Sequence, residues 1–228
     1  MLVLSLDSSS IASVALSRDG EVLREFATTD TRSHAEALAP AVRDLLTAQG
    51  VTGAELDALL VGTGPGPFTG LRAGLATARA LGFAWEVPVH GLCSLDAVAH
   101  RVAPTARSAG HPEFLVAIDA RRKELYWRRY RVHDDAAGTC AVPVAAPQVG
   151  APQELPGLPC AGPGAGLYPD RIAQPLAGSE ELHPTAADLA RAAWALTSRG
   201  TPLSTDTSPL YLRESDAKVP ASLKRVTS

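Results

Sequence analysis

Between Gly62 and Gly70 the chain reads Gly-Thr-Gly-Pro-Gly-Pro-Phe-Thr-Gly, four glycines and two prolines in nine residues. Proline presets φ and removes an amide, and glycine opens conformations closed to other residues, so this stretch specifies a turn. Asp57–Thr63, running into it, reads as a strand, and Leu71–Trp85, leaving it, as a helix. Strand, glycine-rich turn and helix is the setting of a phosphate-binding loop. The residue types oppose that use. Pro65 and Pro67 take away two amide donors, and Leu71-Arg72 stands where a P-loop needs a lysine and a hydroxyl. The next strand, Val87–His90, ends on His90-Gly91 and offers no carboxylate to a ribose. The segment is read as a rigid strand-to-helix turn.

In the helix that follows, Gly70, Gly74 and Ala78 recur every four residues, with Ala73, Ala76, Thr77 and Ala80 around them and Leu71 and Leu75 on the neighbouring ridge. A glycine inside a helix costs about 1 kcal/mol relative to alanine. Its presence at position 74 points to a second backbone in close approach. From the residues alone, that backbone belongs either to the protein's own sheet or to another chain.

The rest of the chain places this unit in an α/β fold. Leu2–Leu6, Ile11–Leu16 and Glu21–Phe26 read as antiparallel strands, the last two joined by an Asp19-Gly20 hairpin turn. Ser33 and Glu36 form a capping box for a helix over 33–49, with Leu38, Val42 and Leu45 on one stripe, a bend at Pro40 and Gly50 as its stop. Ser94 caps a third helix to about Val102, and a break is expected over Pro104–Pro112. Phe114–Ile118, ending in Asp119, and Glu124–Val132 are further strands. Eight prolines and six glycines among the 38 residues from Gly138 to Pro175 forbid long helices there. A final helix spans Thr185–Arg199, and the tail from Arg213 is polar. The order βββαβαβα over 1–103 implies a mixed sheet faced by helices, with 104–228 a smaller, degraded version of the same plan.

Several chemistries lack their residues. A net charge of −3 leaves no global basic footprint for nucleic acid, though a local patch such as Arg121-Arg122-Lys123 remains open as a solvated hairpin or a phosphate contact. None of the six histidines, His34, His90, His100, His111, His133 and His183, forms a helical i, i+4 pair, and neither HExxH nor GxSxG occurs. Three cysteines without a CxxC pair, no basic leader before Asp7 and no long apolar run together lead us to expect a cytoplasmic protein that does not enter the membrane. One partial site is present. Asp7-Ser8-Ser9-Ser10 follows the first strand and Asp119 ends the corresponding strand of the second half, so two acids could hold magnesium through water. Neither turn has the glycine that would admit a phosphate, so the pair reads as a vestigial nucleotide site.

MLVLSLDSSS, RSHAEALAP, GTGPGPFTGLRAGLATARAL, GLCSLDAVA, AIDARRKELYW and PLYLR, in that order from residue 1 to 213, resemble the TsaB (YeaZ) family. The resemblance implies the actin-like ATPase (ASKHA) fold, two lobes with the second reduced. It further implies a non-catalytic subunit in bacterial synthesis of N6-threonylcarbamoyladenosine beside the tRNA anticodon. In that system a TsaD-like paralogue is the catalytic partner in a heterodimer, a TsaE-like ATPase joins, TsaC makes the threonylcarbamoyl adenylate, and ATP and magnesium serve the complex. This subunit is then expected to hold no tight cofactor and no metal. Where TsaD has a metal-binding histidine pair, only His34 stands here. The family's helical seam falls on 33–49 and 70–85, which nominates His34, Leu38, Val42, Leu45, Leu71, Gly74, Leu75 and Ala78 as partner contacts. A homodimer when alone, and tRNA contact through Arg121, Arg122 and Lys123, are further expectations. The rival class is a stand-alone enzyme, metallopeptidase-like or an actin-fold phosphotransferase.

Overall fold

Leu2, Leu4 and Leu6 alternate with Val3 and Ser5, so a strand through them presents one aliphatic face and one smaller face. In the computed structural model, which describes residues 1–29, 34–172 and 174–213, that strand is β1 (Leu2–Asp7). It pairs antiparallel with β2 (Ser13–Arg18), and β2 with β3 (Glu21–Ala27). Asp19 and Gly20 between them take φ of 50° and 83°, the left-handed pair that a two-residue hairpin requires.

α1 (His34–Gln49) follows; its Ser33 cap and the side chain of His34 lie outside the described residues. β4 (Ala58–Gly62) lies parallel to β1. α2 (Phe68–Trp85) begins three residues earlier than its apolar pattern suggested, because the Leu71 amide already reaches the Pro67 carbonyl at 3.0 Å. β5 (Val89–Leu92) completes the order β3-β2-β1-β4-β5. It starts later than expected, since Glu86 in the left-handed region (φ 57°) ends α2 and the Val87 amide bonds back to the Gly82 carbonyl. The leucine face of this sheet carries α1 and α2. Leu38, Val42, Leu45, Leu71, Leu75 and Ala78 pack with Leu4, Leu6, Leu16, Leu59 and Val61 in one buried cluster.

α3 (Ser94–Ser108) runs through Pro104, where a break was expected. Val102, Ala103 and Ala106 are buried against the second sheet, and that burial outweighs the backbone bond a proline removes. The boundary expected at 103/104 therefore falls inside a helix. β6 (Glu113–Asp119), β7 (Leu125–Asp135) and β8 (Gly138–Pro143) form an antiparallel meander. β9 (Gln148–Gly150) pairs with the first part of β7, and β10 (Pro159–Ala161), α4 (Pro163–Leu167) and β11 (Gln174–Pro175) follow. The order is β11-β10-β6-β7-β8. The proline-rich tract thus holds only short elements.

α5 (Ala186–Thr197) is capped by Thr185, whose hydroxyl accepts the Asp188 amide. Its Leu189 and Ala193 pack with Ala97 of α3 on Val3, Ala58 and Leu60, the small-residue face of the first sheet. The final helix, expected with the C-terminal half, returns to the N-terminal sheet. α3 sits between the sheets, with Leu95, Val98 and Val102 facing Phe114, Val116 and Tyr130 of the second. No helix among the described residues is long and apolar enough to cross a membrane.

Candidate functional site

The ends of β1 and β6 meet at a cleft between the two sheets, where an open sheet places its ligands. Asp7, Ser8 and Ser9 are buried at the end of β1. The Asp7 carboxylate accepts from the Ser9 amide (2.8 Å) and hydroxyl (2.7 Å) through Oδ1, and from the Ser94 hydroxyl (2.6 Å) through Oδ2. The Ser94 oxygen in turn accepts the Gly64 amide at 3.2 Å. Ser94, expected as a cap, is instead the first residue of α3 with its hydroxyl engaged on Asp7. The Ser8 hydroxyl donates to the Gly70 carbonyl (2.7 Å) and accepts the Gly74 amide (3.1 Å).

The glycines of the 62–74 segment close around this turn. A Cβ on Gly62 would overlap the Asp7 carboxylate, one on Gly66 the Ser9 backbone, and one on Gly74 the Ser8 hydroxyl. The backbone whose approach Gly74 signalled is therefore the protein's own Asp7–Ser10 turn. A Mg-ATP complex does not fit these residues: the carboxylate and two hydroxyls that would face it are directed into the β1–α2–α3 junction.

What remains is a cleft of about 310 Å³ lined by Ser9, Ser10, Asp119, Arg121, Glu180 and His183 among others. Asp7 does not line it, so the two acids expected to share a magnesium do not converge. The Asp119 carboxylate is engaged by the Arg121 amide (2.7 Å) and guanidinium (3.0 Å). Ser10 Oγ and His183 Nδ1 lie 2.7 Å apart, and burial holds the His183 imidazole below its usual range while Glu181 opposes that shift. Among the described residues no three His, Cys, Asp or Glu side chains form a group that could hold a metal ion. His183, Glu180 and Ser94 were not singled out as site residues in the sequence; nothing local distinguishes them.

The helical seam requires a correction. Leu38, Val42, Leu45, Leu71, Leu75 and Ala78 lie in this chain's own core, and Gly74 faces Ser8, so these positions point inward and not to the surface. The same two helices show a different set outward. Phe83 on α2 is 89% exposed, with Ala76, Ala80 and Ala84 beside it on the open face. Leu46, Leu81 and Trp85 line a groove between α1 and α2. The other flank of α2 is strapped by the C-terminal segment: Arg72 Nε donates to the Tyr211 hydroxyl (2.7 Å), Arg79 to Thr207 (2.9 Å), and the Leu210 amide to the Thr63 carbonyl (2.8 Å).

Arg121, Arg122 and Lys123 are all exposed and all left-handed, with φ of 62°, 55° and 64°. That conformation costs about 1–2 kcal/mol per non-glycine residue. It is held by the Asp119 carboxylate on the Arg121 amide, by the Glu124 amide on the Arg121 carbonyl, and by Arg213, which donates to the Ala120 carbonyl and pairs with Glu124.

Comparison with known proteins places this geometry. The family model of TsaD, tRNA N6-adenosine threonylcarbamoyltransferase, matches residues 21–177. Uncharacterized protein ML0378 of Mycobacterium leprae is 40% identical over 223 residues, 95% of this chain and 56% of its own. The tRNA threonylcarbamoyladenosine biosynthesis protein TsaB of Escherichia coli is 38% identical over 132 residues, 58% of this chain and 56% of its own. The chain thus spans little over half the length of these curated relatives. The solved structure of YeaZ from Pseudomonas aeruginosa superposes with a TM-score of 0.75 at 32% identity, covering 92% of this chain and 99% of that one. The architecture of two sheets joined through α3 is shared with that structure.

Proposed function

This chain belongs to the TsaB (YeaZ) family, and from that membership we propose that it is a non-catalytic subunit in synthesis of N6-threonylcarbamoyladenosine beside the anticodon of tRNAs that read ANN codons. It pairs with a TsaD-like catalytic paralogue, in a complex that a TsaE-like ATPase joins and in which ATP and magnesium are used. The observation that carries this reading is the closed Asp7–Ser10 turn. The Asp7 carboxylate is taken up by Ser9 and Ser94 and the Ser8 hydroxyl by Gly70 and Gly74, so the seat that an actin-fold kinase keeps for phosphate is filled by the protein itself.

A chain without that seat contributes surface. The exposed face of α2 around Phe83, with the Leu46–Leu81–Trp85 groove beside it, has the apolar character of an interface core. The test is size-exclusion of the purified chain mixed with its TsaD-like paralogue, with Phe83→Asp as the interface variant. Co-elution of the native chain, weakened in the variant at unchanged melting temperature, is the expected result. Absence of co-elution, or turnover of ATP or peptide by the isolated chain at about 1 per second or faster, a rate ordinary for enzymes, overturns the reading in favour of a stand-alone phosphotransferase or peptidase.

A further inference from the structure

A crevice of about 480 Å³ lies between β8 and α5 and is lined from α3 by Asp96 and His100. Those two residues stand four apart on the helix, so both reach the same space. Ala141, Val142, Ala192, Ala195 and Leu196 supply apolar walls. Arg199 holds one end together by donating to Asp135 (2.6 Å) and to the Gly138 carbonyl (3.0 Å). This size, with mostly apolar walls and a few polar groups, is that of a small-molecule site. Its polar groups are incompletely used. The Arg128 guanidinium and the Tyr130 hydroxyl both donate to Oδ1 of Asp96, and among the described residues Oδ2 receives no N–H or O–H. The carboxylate's remaining neighbour is the Cys93 thiol, a weak donor. The half-buried His100 imidazole makes no hydrogen bond among the described residues. Burial, assisted by Arg199 and opposed by Asp188, lowers its pKa, so one ring nitrogen donates and the other accepts.

We propose that this crevice binds an uncharged small molecule with an amide-like edge, a carboxamide or lactam, whose N–H donates to Asp96 Oδ2 and whose carbonyl accepts from the His100 imidazole. Its apolar body lies against Ala192, Ala195 and Leu196. The inference goes beyond the tRNA-modification reading and does not rest on it. Three features select this class. Asp96, held in place by Arg128 and Tyr130, and His100 present an acceptor and a donor side by side, the complement of an amide edge. Side chains at this helical spacing have Cβ atoms about 5–6 Å apart, so one planar group reaches both. The ions that line the crevice are already answered, Asp96 by Arg128 and Asp135 by Arg199, so a charged ligand would lose its hydration without gaining a counter-ion. Among the described residues no three His, Cys, Asp or Glu side chains form a group that could hold a metal ion, so Asp96 and His100 are left to hydrogen bonding.

The experiment titrates the full chain with four probes that share a benzene ring and differ in its polar edge: benzamide, methyl benzoate, benzoate and benzylamine. Binding is read from NMR spectra of protein and probe. Benzamide is expected to bind, and the other three at least about tenfold more weakly, the loss that follows when a buried acceptor keeps no donor or a charge finds no counter-ion. Ala195→Trp fills the crevice and should abolish binding. His100→Phe keeps a ring and removes its hydrogen-bonding atoms, and should weaken benzamide about tenfold. Methyl benzoate binding as well as benzamide would mark an apolar crevice without polar recognition and overturns the proposal. A preference for benzoate or benzylamine overturns it in favour of a charged ligand. Benzamide that still binds Ala195→Trp, or binds His100→Phe as it binds the native chain, occupies some other place, and no binding to the native chain overturns the proposal outright. If Ala195→Trp melts early, His100→Phe decides alone. Co-elution with the paralogue is a separate measurement, and its failure leaves this inference standing.

Discussion

A single Cβ at position 74 would occupy the space of the Ser8 hydroxyl, which bonds the Gly70 carbonyl and the Gly74 amide. Gly74→Ala therefore sets two effects against each other. Helix propensity returns about 1 kcal/mol, and overpacking a buried site together with a displaced hydroxyl costs about 2–4 kcal/mol. We expect net destabilisation of about 1–3 kcal/mol on that balance, read as a lower melting temperature of the isolated chain. Ser8→Ala makes room for the new methyl, so the double variant Ser8→Ala/Gly74→Ala should be more stable than the two single changes summed. Strict additivity would show that Ser8 is not what Gly74 accommodates.

At the level of elements, α3 joins the two sheets, and its Asp96 is the polar part of that joint. Its carboxylate accepts from the Arg128 guanidinium (2.9 Å) and the Tyr130 hydroxyl (2.6 Å), both on β7. Desolvation raises the Asp96 carboxyl above its ordinary value while Arg128 opposes that shift. The pair is largely buried, with side-chain exposures of 16% and 18% for Arg128 and Asp96. Removing one member strands the other, so Asp96→Ala should cost about 2–4 kcal/mol. Replacing both by apolar residues of similar volume should recover most of that loss in urea titrations. α2 poses the opposite case: Phe83 is exposed, and Phe83→Asp should change stability by no more than about 0.5 kcal/mol. A large shift in its melting temperature would place the ring inside the fold.

For the whole molecule, two histidines link stability to pH. Burial lowers the His100 imidazole below 6.5, assisted by Arg199 and opposed by Asp188, and burial likewise lowers His183. The folded protein keeps both neutral where the unfolded chain takes up protons. Their contribution is complete above the unfolded value of 6.5 and is lost as pH falls below it towards the folded values. The melting temperature should fall between about pH 7.5 and about pH 5.5, and His100→Gln with His183→Gln should flatten that decline. A native profile that rises on acidification would contradict the assignment. The Glu113 carboxyl, held low by Arg129 and then Arg131, acts in a separate window below 4.5.

Periodicity and turn chemistry within the chain determined a great deal. The leucine alternation of β1, the Asp19-Gly20 hairpin, the Gly62–Gly70 turn and the mixed αβ order were all legible, because each depends on residues a few positions apart. What periodicity cannot report is the identity of the group on the other side of a buried face. Leu71 and Ala78 read equally as core or seam until the β1–β4 leucines were placed beneath them. Gly74 announced a close neighbour, and only the fold named it as Ser8, 66 positions away. Ser94 meeting Asp7, α5 returning to the first sheet and α3 continuing through Pro104 are of the same kind. In each, a long-range contact outweighs or redirects a local preference, and the energy that decides it comes from burial between segments far apart in the chain.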